Sequence, residues 1–261
     1  MLVILTALHC EAKPLIAHFK LKVGSFKSPF PIYHNDKVYL GVSGIGKVNA
    51  AFAVSYLGKI LEKYIICWLN VGIAGHRRVA INALFVADKV IDGGTLKTYY
   101  PTHIDPLDMT TSTLCTVDKP ETIFPDEYLY DMEASGFMQA ALKFSTSELT
   151  HCVKIVSDNL FEKTPLDGKI IERLIGNHLT EIQSFGLRLL KLAEEVKTAQ
   201  VEDFLPQCHF TVTEKWQLHR LLVRYRTLNG TLSLEEFKGY VRAKDLLEAI
   251  ENKINSQSLH F

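Results

Sequence analysis

Three acidic residues, Glu11, Glu133 and Asp158, lie where carboxylates could perform acid–base chemistry. Each follows an apolar segment typical of a buried strand, or begins a helix next to one. A carboxylate beside buried strands is costly unless it is paired or used. Acidic residues also favour the first turn of a helix, so each of them alone is equally well explained as a helix cap. Three of them at one predicted sheet edge favour a functional site.

A glycine-rich segment, Gly44–Lys47, precedes a predicted helix. Glycines allow close approach of a ligand, and backbone N–H groups at the start of a helix can bind an anion. The segment lacks the spacing of a P-loop and is not a complete dinucleotide-binding motif. On this evidence alone, a tight strand-to-helix turn is the better interpretation.

The elements that must position these residues alternate along the chain. Apolar or alternating patterns predict strands over residues 2–8, 37–43, 64–69, 83–92, 113–117 and 149–156. Helical periodicity covers residues 11–19, 48–61, 132–142 and 170–196, and residues 124–131 are rich in turn formers. This alternation predicts an α/β fold with a mixed central sheet flanked by helices on both faces.

In such a sheet, ligands bind at the carboxyl ends of the strands. Four polar or glycine-rich clusters fall at these ends, namely Glu11 and residues 43–46, 70–75 and 157–159. The sequence therefore predicts one site built from distant parts of the chain.

The composition changes near residue 200, after which the chain reads as helical. We predict an α/β domain over residues 1–199 and a helical C-terminal extension over residues 200–261. Within the extension, Arg220, Arg224 and Arg226 form a basic helix face near Trp216. This face favours a solvated surface or a protein docking surface over contact with nucleic acid.

The overall composition restricts the class of ligand. The 261 residues include 29 Lys+Arg and 29 Asp+Glu, so no net field attracts nucleic acid or an anionic membrane. A small neutral or zwitterionic substrate suits this balance. The five cysteines contain no C-x-x-C pair, which predicts reduced thiols in a reducing compartment. No metal-binding spacing appears elsewhere in the sequence, and we expect no metal and no cofactor. The short apolar N-terminus lacks a basic leader, so we expect no signal peptide or membrane span and a cytoplasmic location.

Five short motifs together resemble those of the methylthioadenosine/S-adenosylhomocysteine nucleosidases, within the nucleoside phosphorylase superfamily. In chain order they are Ala7–Glu11, Val42–Ala51, Asn70–Gly75, Asp131–Ala134 and Val156–Asp158. Their order and approximate spacing agree with the family over about residues 1–198, and the rest of the chain has no counterpart. The resemblance implies the α/β fold of that superfamily and cleavage of the N-glycosidic bond of a purine-type nucleoside.

The resemblance also implies roles for the matching residues. Asp158 would be the general acid that protonates the purine N7, and Ser157 would hold Asp158 in place. Glu11 would activate the attacking water. Glu133 would bind the ribose hydroxyls, and Met132 would pack against the sugar.

In the third motif, Ala74 and Gly75 would contribute to the substrate site.

The separate roles of the three carboxyl groups suit an oxocarbenium-like transition state, because one carboxyl must stay protonated while another is ionised. The resemblance further implies a homodimer whose pocket is completed at the subunit interface.

The sequence departs from the family at the water site and the base site. Ile73 replaces a hydroxyl residue and Lys154 replaces an arginine, and both family residues help to hold the water. After Asp118, the segment Lys119–Glu121 replaces the aromatic residue that the family places at the base.

Three functions remain open at this point. The first is a hydrolytic nucleosidase for an adenosine-type thioether. The second is a phosphate-dependent purine nucleoside phosphorylase, or a hydrolase of another modified nucleoside. Arg77 and Arg78 could then form a phosphate cradle, although an exposed turn is the better interpretation. The third is a nucleoside-binding regulatory module whose extension recruits a protein partner.

Overall fold

A computed structural model describes residues 1–24, 27–103, 109–162, 167–196, 208–229 and 234–257. The chain divides into two compact units, Met1–Leu190 and Lys191–Phe261. The predicted boundary near residue 200 lies outside the described residues, so the two predicted domains stay a prediction.

Ten strands and seven helices are described. The strands are β1 (Leu2–Thr6), β2 (Lys22–Val23), β3 (Ile32–His34), β4 (Val38–Val42), β5 (Cys67–His76), β6 (Leu84–Asp92), β7 (Thr98–Tyr99), β8 (Thr111–Thr116), β9 (Leu129–Asp131) and β10 (Thr150–Asp158). The helices are α1 (His9–His18), α2 (Lys47–Ile60), α3 (Ala134–Ala141), α4 (Gly168–Gly176), α5 (Leu179–Val196), α6 (Val212–Asn229) and α7 (Ala243–Gln257).

All ten strands belong to one mixed sheet, part of which closes on itself. Strand β5 pairs with parallel β10, β10 with antiparallel β6, and β6 with parallel β8. Strand β8 then pairs with parallel β9, and β9 returns to β5 as an antiparallel neighbour, which completes a ring of five strands. An arm of β1, β4, β3 and β2 begins on the edge of β5 that β9 also uses, where β1 pairs with the first residues of β5.

Helices cover both faces of the sheet, and the apolar side chains of the central strands pack against them. On one face, a Cβ on Gly41 of β4 would lie 3.0 Å from Leu57 of α2 and 3.4 Å from Leu5 of β1. On the other face, a Cβ on Gly186 of α5 would lie 2.8 Å from Leu2 of β1. Leu2 and Leu5 point to opposite faces, as the alternation of side chains along a strand requires. The predicted mixed α/β sheet with helices on both faces is confirmed.

Most predicted elements are present with shifted ends, but the prediction for residues 64–75 is wrong. The sequence predicts a strand over 64–69 followed by a glycine-rich turn, whereas β5 runs unbroken from Cys67 to His76. Neighbouring strands explain the extension. Strand β10 pairs with β5 as far as Gly75, and β9 pairs with Gly75 and His76. The backbone groups of this segment are therefore satisfied as strand rather than as turn.

The single helix predicted over residues 170–196 is also wrong, because the structure has α4 and α5 with a break between them. The Asn177 side chain donates to the Asn82 side chain at 3.0 Å, and the ring of His178 hydrogen-bonds the Asn82 carbonyl at 2.8 Å. These bonds to a distant loop hold the break in place, which helical periodicity along one segment cannot indicate.

The second unit is built around α6 and α7. Its apolar core includes Leu218, Leu222, Leu246 and Ile250, all of which are buried. Within the described helices of both units, none combines the length and the apolar character that a membrane crossing requires.

Candidate active site

Glu11 is buried in the first turn of α1 and lies at an opening in the sheet. Strand β1 pairs with β5 only as far as Asn70, and β9 pairs with β5 only from Gly75 onward. Glu11 Oε1 fills part of this gap by accepting a hydrogen bond from the Ile73 backbone N–H at 3.0 Å. Because the bond comes from the backbone, the isoleucine side chain does not prevent it.

The second carboxylate oxygen of Glu11 is held by the turn before α1. The backbone N–H groups of Ala7 and Leu8 both donate to Oε2 at 2.9 Å. Burial raises the pKa of Glu11 above its ordinary value, although these bonds, the Ile73 N–H and the nearby Lys154 ammonium oppose the rise. Glu11 is therefore a fixed, buried carboxyl with a raised proton affinity.

Lys154 of β10 lies beside Glu11 and is almost fully buried. A Cβ on Gly72 would be 2.8 Å from Glu11 Oε1 and 3.4 Å from Lys154 Nζ, so both groups approach the space that this glycine leaves. Lys154 Nζ forms an ion pair with Asp131 Oδ2 at 2.9 Å, and both side chains are 1% exposed. Burial alone would lower the pKa of Lys154, but the carboxylates of Asp131 and Glu133 raise it above its usual range.

Asp131 ends β9 and is bound from several sides. The Thr116 hydroxyl donates to Asp131 Oδ1 at 2.7 Å, and the Ala134 backbone N–H donates to Oδ2 at 2.9 Å. The sequence motif contains Asp131, but its ion pair with Lys154 was not anticipated. The acidic residue two positions before Glu133 was the available signal.

Glu133 is the residue immediately before α3 and is buried. Its Oε1 accepts a hydrogen bond from the Gly46 backbone N–H at 2.8 Å, which connects α3 to the glycine-rich segment before α2. Burial, together with repulsion from Asp131, raises the pKa of Glu133 to about 7, although Lys154 opposes this rise. Glu133 can therefore exchange a proton near neutral pH.

Ser157 and Asp158 end β10, next to the end of β5. The Ser157 hydroxyl donates to Asp158 Oδ1 at 2.6 Å and lies 3.4 Å from the Ala74 carbonyl oxygen. Asp158 Oδ2 lies 3.1 Å from the position that a Cβ on Gly75 would take. Four predicted site residues, Ala74, Gly75, Ser157 and Asp158, are thus neighbours, with Asp158 half-buried.

The three predicted acids form two groups, one beside Lys154 and one at the end of β10. Glu11 and Glu133 surround Lys154, whereas Asp158 lies four residues further along β10, a Cα separation of about 13 Å along an extended strand. A ligand that contacts both groups must therefore extend along the end of β10.

Met132 lines a cavity of about 150 Å³ together with residues 45–49, Val117 and Asp118. Ligand pockets commonly measure about 300–1,000 Å³, so this cavity could accept part of a nucleoside. Gly46, which lines the cavity, is also the residue that donates to Glu133.

A second cluster of charged and polar side chains borders this cavity. Lys47 Nζ lies 3.1 Å from Asp92 Oδ2 and 3.0 Å from Asp118 Oδ1. The Ser135 hydroxyl donates to Asp92 Oδ2 at 2.8 Å. Burial opposes ionisation of Asp92, but hydrogen bonds from Ser135, Thr95 and Lys47 lower its pKa to about 2. Lys47, at the end of the glycine-rich segment, and Asp118, before the expected base site, were the sequence signals for this cluster.

Arg77 and Arg78 contact the loop that precedes β9. Arg77 Nη1 donates to the Pro125 carbonyl oxygen at 2.8 Å, and Arg78 Nε lies 3.2 Å from Glu127 Oε1. An aromatic residue of this loop, Phe124, packs against Gly75. The turn-rich sequence around Phe124 did not indicate this contact.

Neither a protein-family model nor a curated protein sequence matches the chain. Solved structures do resemble it. The apo 5′-methylthioadenosine nucleosidase of Arabidopsis thaliana aligns with a TM-score of 0.58 at 17% identity, over 77% of this chain and 98% of its own.

Two Helicobacter pylori proteins are similar to the same extent. A 5′-methylthioadenosine/S-adenosylhomocysteine nucleosidase aligns with a TM-score of 0.55 at 15% identity, over 70% of this chain and 96% of its own. Futalosine hydrolase aligns with a TM-score of 0.54 at 17% identity, over 70% and 95% of the two chains. This chain therefore has the α/β fold that these nucleosidases share.

Proposed function

We propose that this chain is an N-ribosyl hydrolase that cleaves the N-glycosidic bond of a purine-type nucleoside. The substrate would be an adenosine thioether, such as methylthioadenosine or S-adenosylhomocysteine, or a related modified nucleoside. One observation carries the proposal. Glu11 and Glu133, which are distant in sequence, are both buried beside Lys154 in a fold that known nucleosidases share.

Glu11 is the group that activates water in this mechanism. Its raised pKa makes the ionised form a stronger base than an exposed glutamate, and three backbone N–H groups fix its direction. Glu11 takes one proton from the water as the oxygen bonds to the C1′ atom of the sugar. The Lys154 ammonium beside it supports the ionised form by electrostatic attraction.

Asp158 is the general acid, which protonates the base as the bond between C1′ and the base nitrogen breaks. The Ser157 hydroxyl orients Oδ1, so that Oδ2 can face the base. Transfer of this proton converts a poor leaving group into a neutral free base. General acid catalysis of this kind contributes about 10²–10⁴-fold to the rate.

Glu133 binds the ribose hydroxyls, with Met132 packed against the sugar. The Gly46 N–H holds one oxygen of Glu133, and the adjoining cavity lies next to Met132. As positive charge develops on the sugar ring, an ionised Glu133 strengthens its hydrogen bonds to the hydroxyls.

The contacts of Arg77 and Arg78 favour hydrolysis over phosphorolysis. Arg77 and Arg78 were the candidates for a phosphate cradle, yet both bind the loop around Pro125 and Glu127. Phosphate would have to compete with these contacts. Water needs no such cradle.

The proposal is tested by incubating the purified protein with a nucleoside panel, with and without phosphate, and measuring the free base. The panel should include methylthioadenosine, S-adenosylhomocysteine, futalosine, adenosine and inosine. We expect base release without phosphate. Strict phosphate dependence would instead indicate a phosphorylase, and tight binding without release would indicate a binding module.

Replacing Asp158 by Asn tests the acid directly. The amide cannot donate the carboxyl proton, so we expect at least a 100-fold loss of base release, about the contribution of one general acid. Circular dichroism and the urea unfolding midpoint should stay close to wild type. Activity within a few fold of wild type would exclude Asp158 as the general acid.

We further propose that the chain acts as a homodimer in the cytoplasm. Ile45, Val48 and Phe52 are exposed apolar residues along the start of α2, next to the cavity that Met132 lines. A second copy could cover this surface and complete the pocket. The five cysteines are unpaired, which suits a reducing compartment.

A further inference from the structure

The loop between β8 and β9 crosses the carboxyl end of β5 and inserts one aromatic ring there. Phe124 is 2% exposed. Its Cε1 and Cζ atoms lie 2.5 Å and 2.8 Å from the position that a Cβ on Gly75 would take. Only the absence of a side chain at Gly75 leaves room for the ring.

Gly75 also lies next to Asp158, the proposed general acid. Asp158 Oδ2 lies 3.1 Å from that Cβ position. Because Ser157 binds Oδ1, Oδ2 is the oxygen that must face the base. The Phe124 ring therefore occupies space next to the oxygen that a leaving group has to reach.

The backbone at Phe124 is held in an unfavourable conformation. Its φ is +48°, in the left-handed region that aromatic residues rarely adopt. Such a conformation persists only where surrounding contacts impose it. The Glu121 carboxylate imposes part of it by accepting hydrogen bonds from the Thr122 and Ile123 backbone N–H groups, both at 2.8 Å.

Further contacts hold the loop on the side of β5 and β9. Arg77 donates to the Pro125 carbonyl oxygen at 2.8 Å, and Arg78 pairs with Glu127. The Asp126 backbone N–H donates to the Tyr130 hydroxyl at 3.1 Å. These contacts are polar, and the ion pairs are partly exposed, so the loop can be released without unfolding the sheet.

We propose that Phe124 is a plug in the base subsite, which leaves Gly75 when the base binds, and that Arg77 is the latch that keeps it in place. The inference rests on the proposed function, because the displaced ring gives way to the base of the nucleoside. In the closed form, the ring replaces a ligand and covers one side of Asp158. The apparent affinity for the base is then the affinity of the open form multiplied by the fraction of molecules that are open.

The test uses the full chain and adenine as the probe, with calorimetric dissociation constants for wild type, Phe124→Ala and Arg77→Met. Both substitutions favour the open form, so we expect each to tighten adenine binding by about 3- to 10-fold. Lys59→Met is the matched control, because it removes an exposed cation whose partner, Glu62, lies three residues further on and outside the Phe124 loop. Its adenine affinity should equal that of wild type.

Hydrogen exchange gives a second measurement that needs no ligand. Arg77→Met should speed exchange of the backbone amides of residues 122–127, and Lys59→Met should not. Adding adenine to wild type should speed exchange of the same amides. Unchanged exchange in Arg77→Met overturns the latch.

The outcomes separate the two proposals. If wild type binds adenine and both substitutions leave the affinity unchanged or weaker, the plug is wrong and the proposed nucleosidase stands. If no variant binds adenine and none releases base from the nucleoside panel, the proposed function fails and the plug with it.

Discussion

Burial prevents Glu133 from ionising at the pH at which an exposed glutamate ionises. Its pKa is raised from 4.5 to about 7, because the side chain is buried and Asp131 lies nearby. Between these two values the folded chain binds more protons than the unfolded chain, so stability falls as pH rises through this window. Above pH 7 the full cost of the buried charge is present.

Glu133→Gln should therefore stabilise the protein at pH 8. The amide keeps an oxygen for the Gly46 N–H and carries no charge, so we expect a gain on the order of 1–3 kcal/mol, which shrinks as the pH falls to 5. Urea unfolding at both pH values measures it. Glu121→Gln is the control, because backbone hydrogen bonds lower the pKa of Glu121, and it should give no gain at pH 8. A variant that is equally stable or weaker than wild type at pH 8 contradicts the raised pKa.

Lys154 and Asp131 form a buried ion pair beside Glu11 and Glu133. Lys154→Met leaves Asp131 as a buried charge without its partner, which should cost about 3–5 kcal/mol. Adding Asp131→Asn removes that charge, so the double variant should lose less than the two single variants together. Urea unfolding of all four proteins gives the coupling energy.

An exposed pair supplies the comparison for this cycle. Lys59 and Glu62 lie 2.7 Å apart on the surface, and the same cycle with Lys59→Met and Glu62→Gln should give a coupling of at most about 1 kcal/mol. Equal coupling energies for the two pairs would show that burial adds nothing to the pair at Lys154.

Among the elements, the close packing of α2 and α3 sets the position of Glu133. Gly136 of α3 faces the start of α2, where a Cβ would overlap the Lys47 carbonyl oxygen. Since that oxygen belongs to the backbone, the two helices could accept a larger residue only by separating. Gly46 and Glu133 would then move apart.

Gly136→Ala should thus destabilise the protein by about 1–3 kcal/mol, although alanine is the better helix former. Base release should fall as well, because the Gly46–Glu133 bond is lost. Gly176→Ala at the end of α4 is the control, because no atom lies within 4 Å of its new Cβ. That variant should be neutral or slightly stabilised in thermal unfolding and fully active. Comparable losses in the two variants would contradict tight α2–α3 packing.

At the scale of the whole molecule, the exposed apolar residues at the start of α2 lie beside the proposed pocket. We expect a dimer in light-scattering measurements of the eluted protein, and Phe52→Asp should give a monomer with weaker substrate binding. Leu187→Asp changes a different exposed apolar residue, on α5, and should stay dimeric. A monomeric wild type at micromolar concentration would contradict this surface as the interface. The role of residues 200–261 as a protein docking surface stays a prediction.

The sequence by itself determined the order and type of most elements and the residues that could do chemistry. Hydrophobic periodicity is local, so the strands around residues 2–8 and 149–156 could be predicted from short segments. Polar residues that follow such strands, like Glu11 and Asp158, stand out because buried segments otherwise exclude charge.

Only the tertiary structure decided how these residues meet. The continuation of β5 through Gly72 and Gly75 depends on pairing with β10 and β9, which are distant along the chain. The ion pair between Lys154 and Asp131, and the Phe124 ring against Gly75, likewise join segments far apart in sequence. Such contacts depend on which strands become neighbours and how their backbone groups are satisfied, and no local pattern encodes that choice.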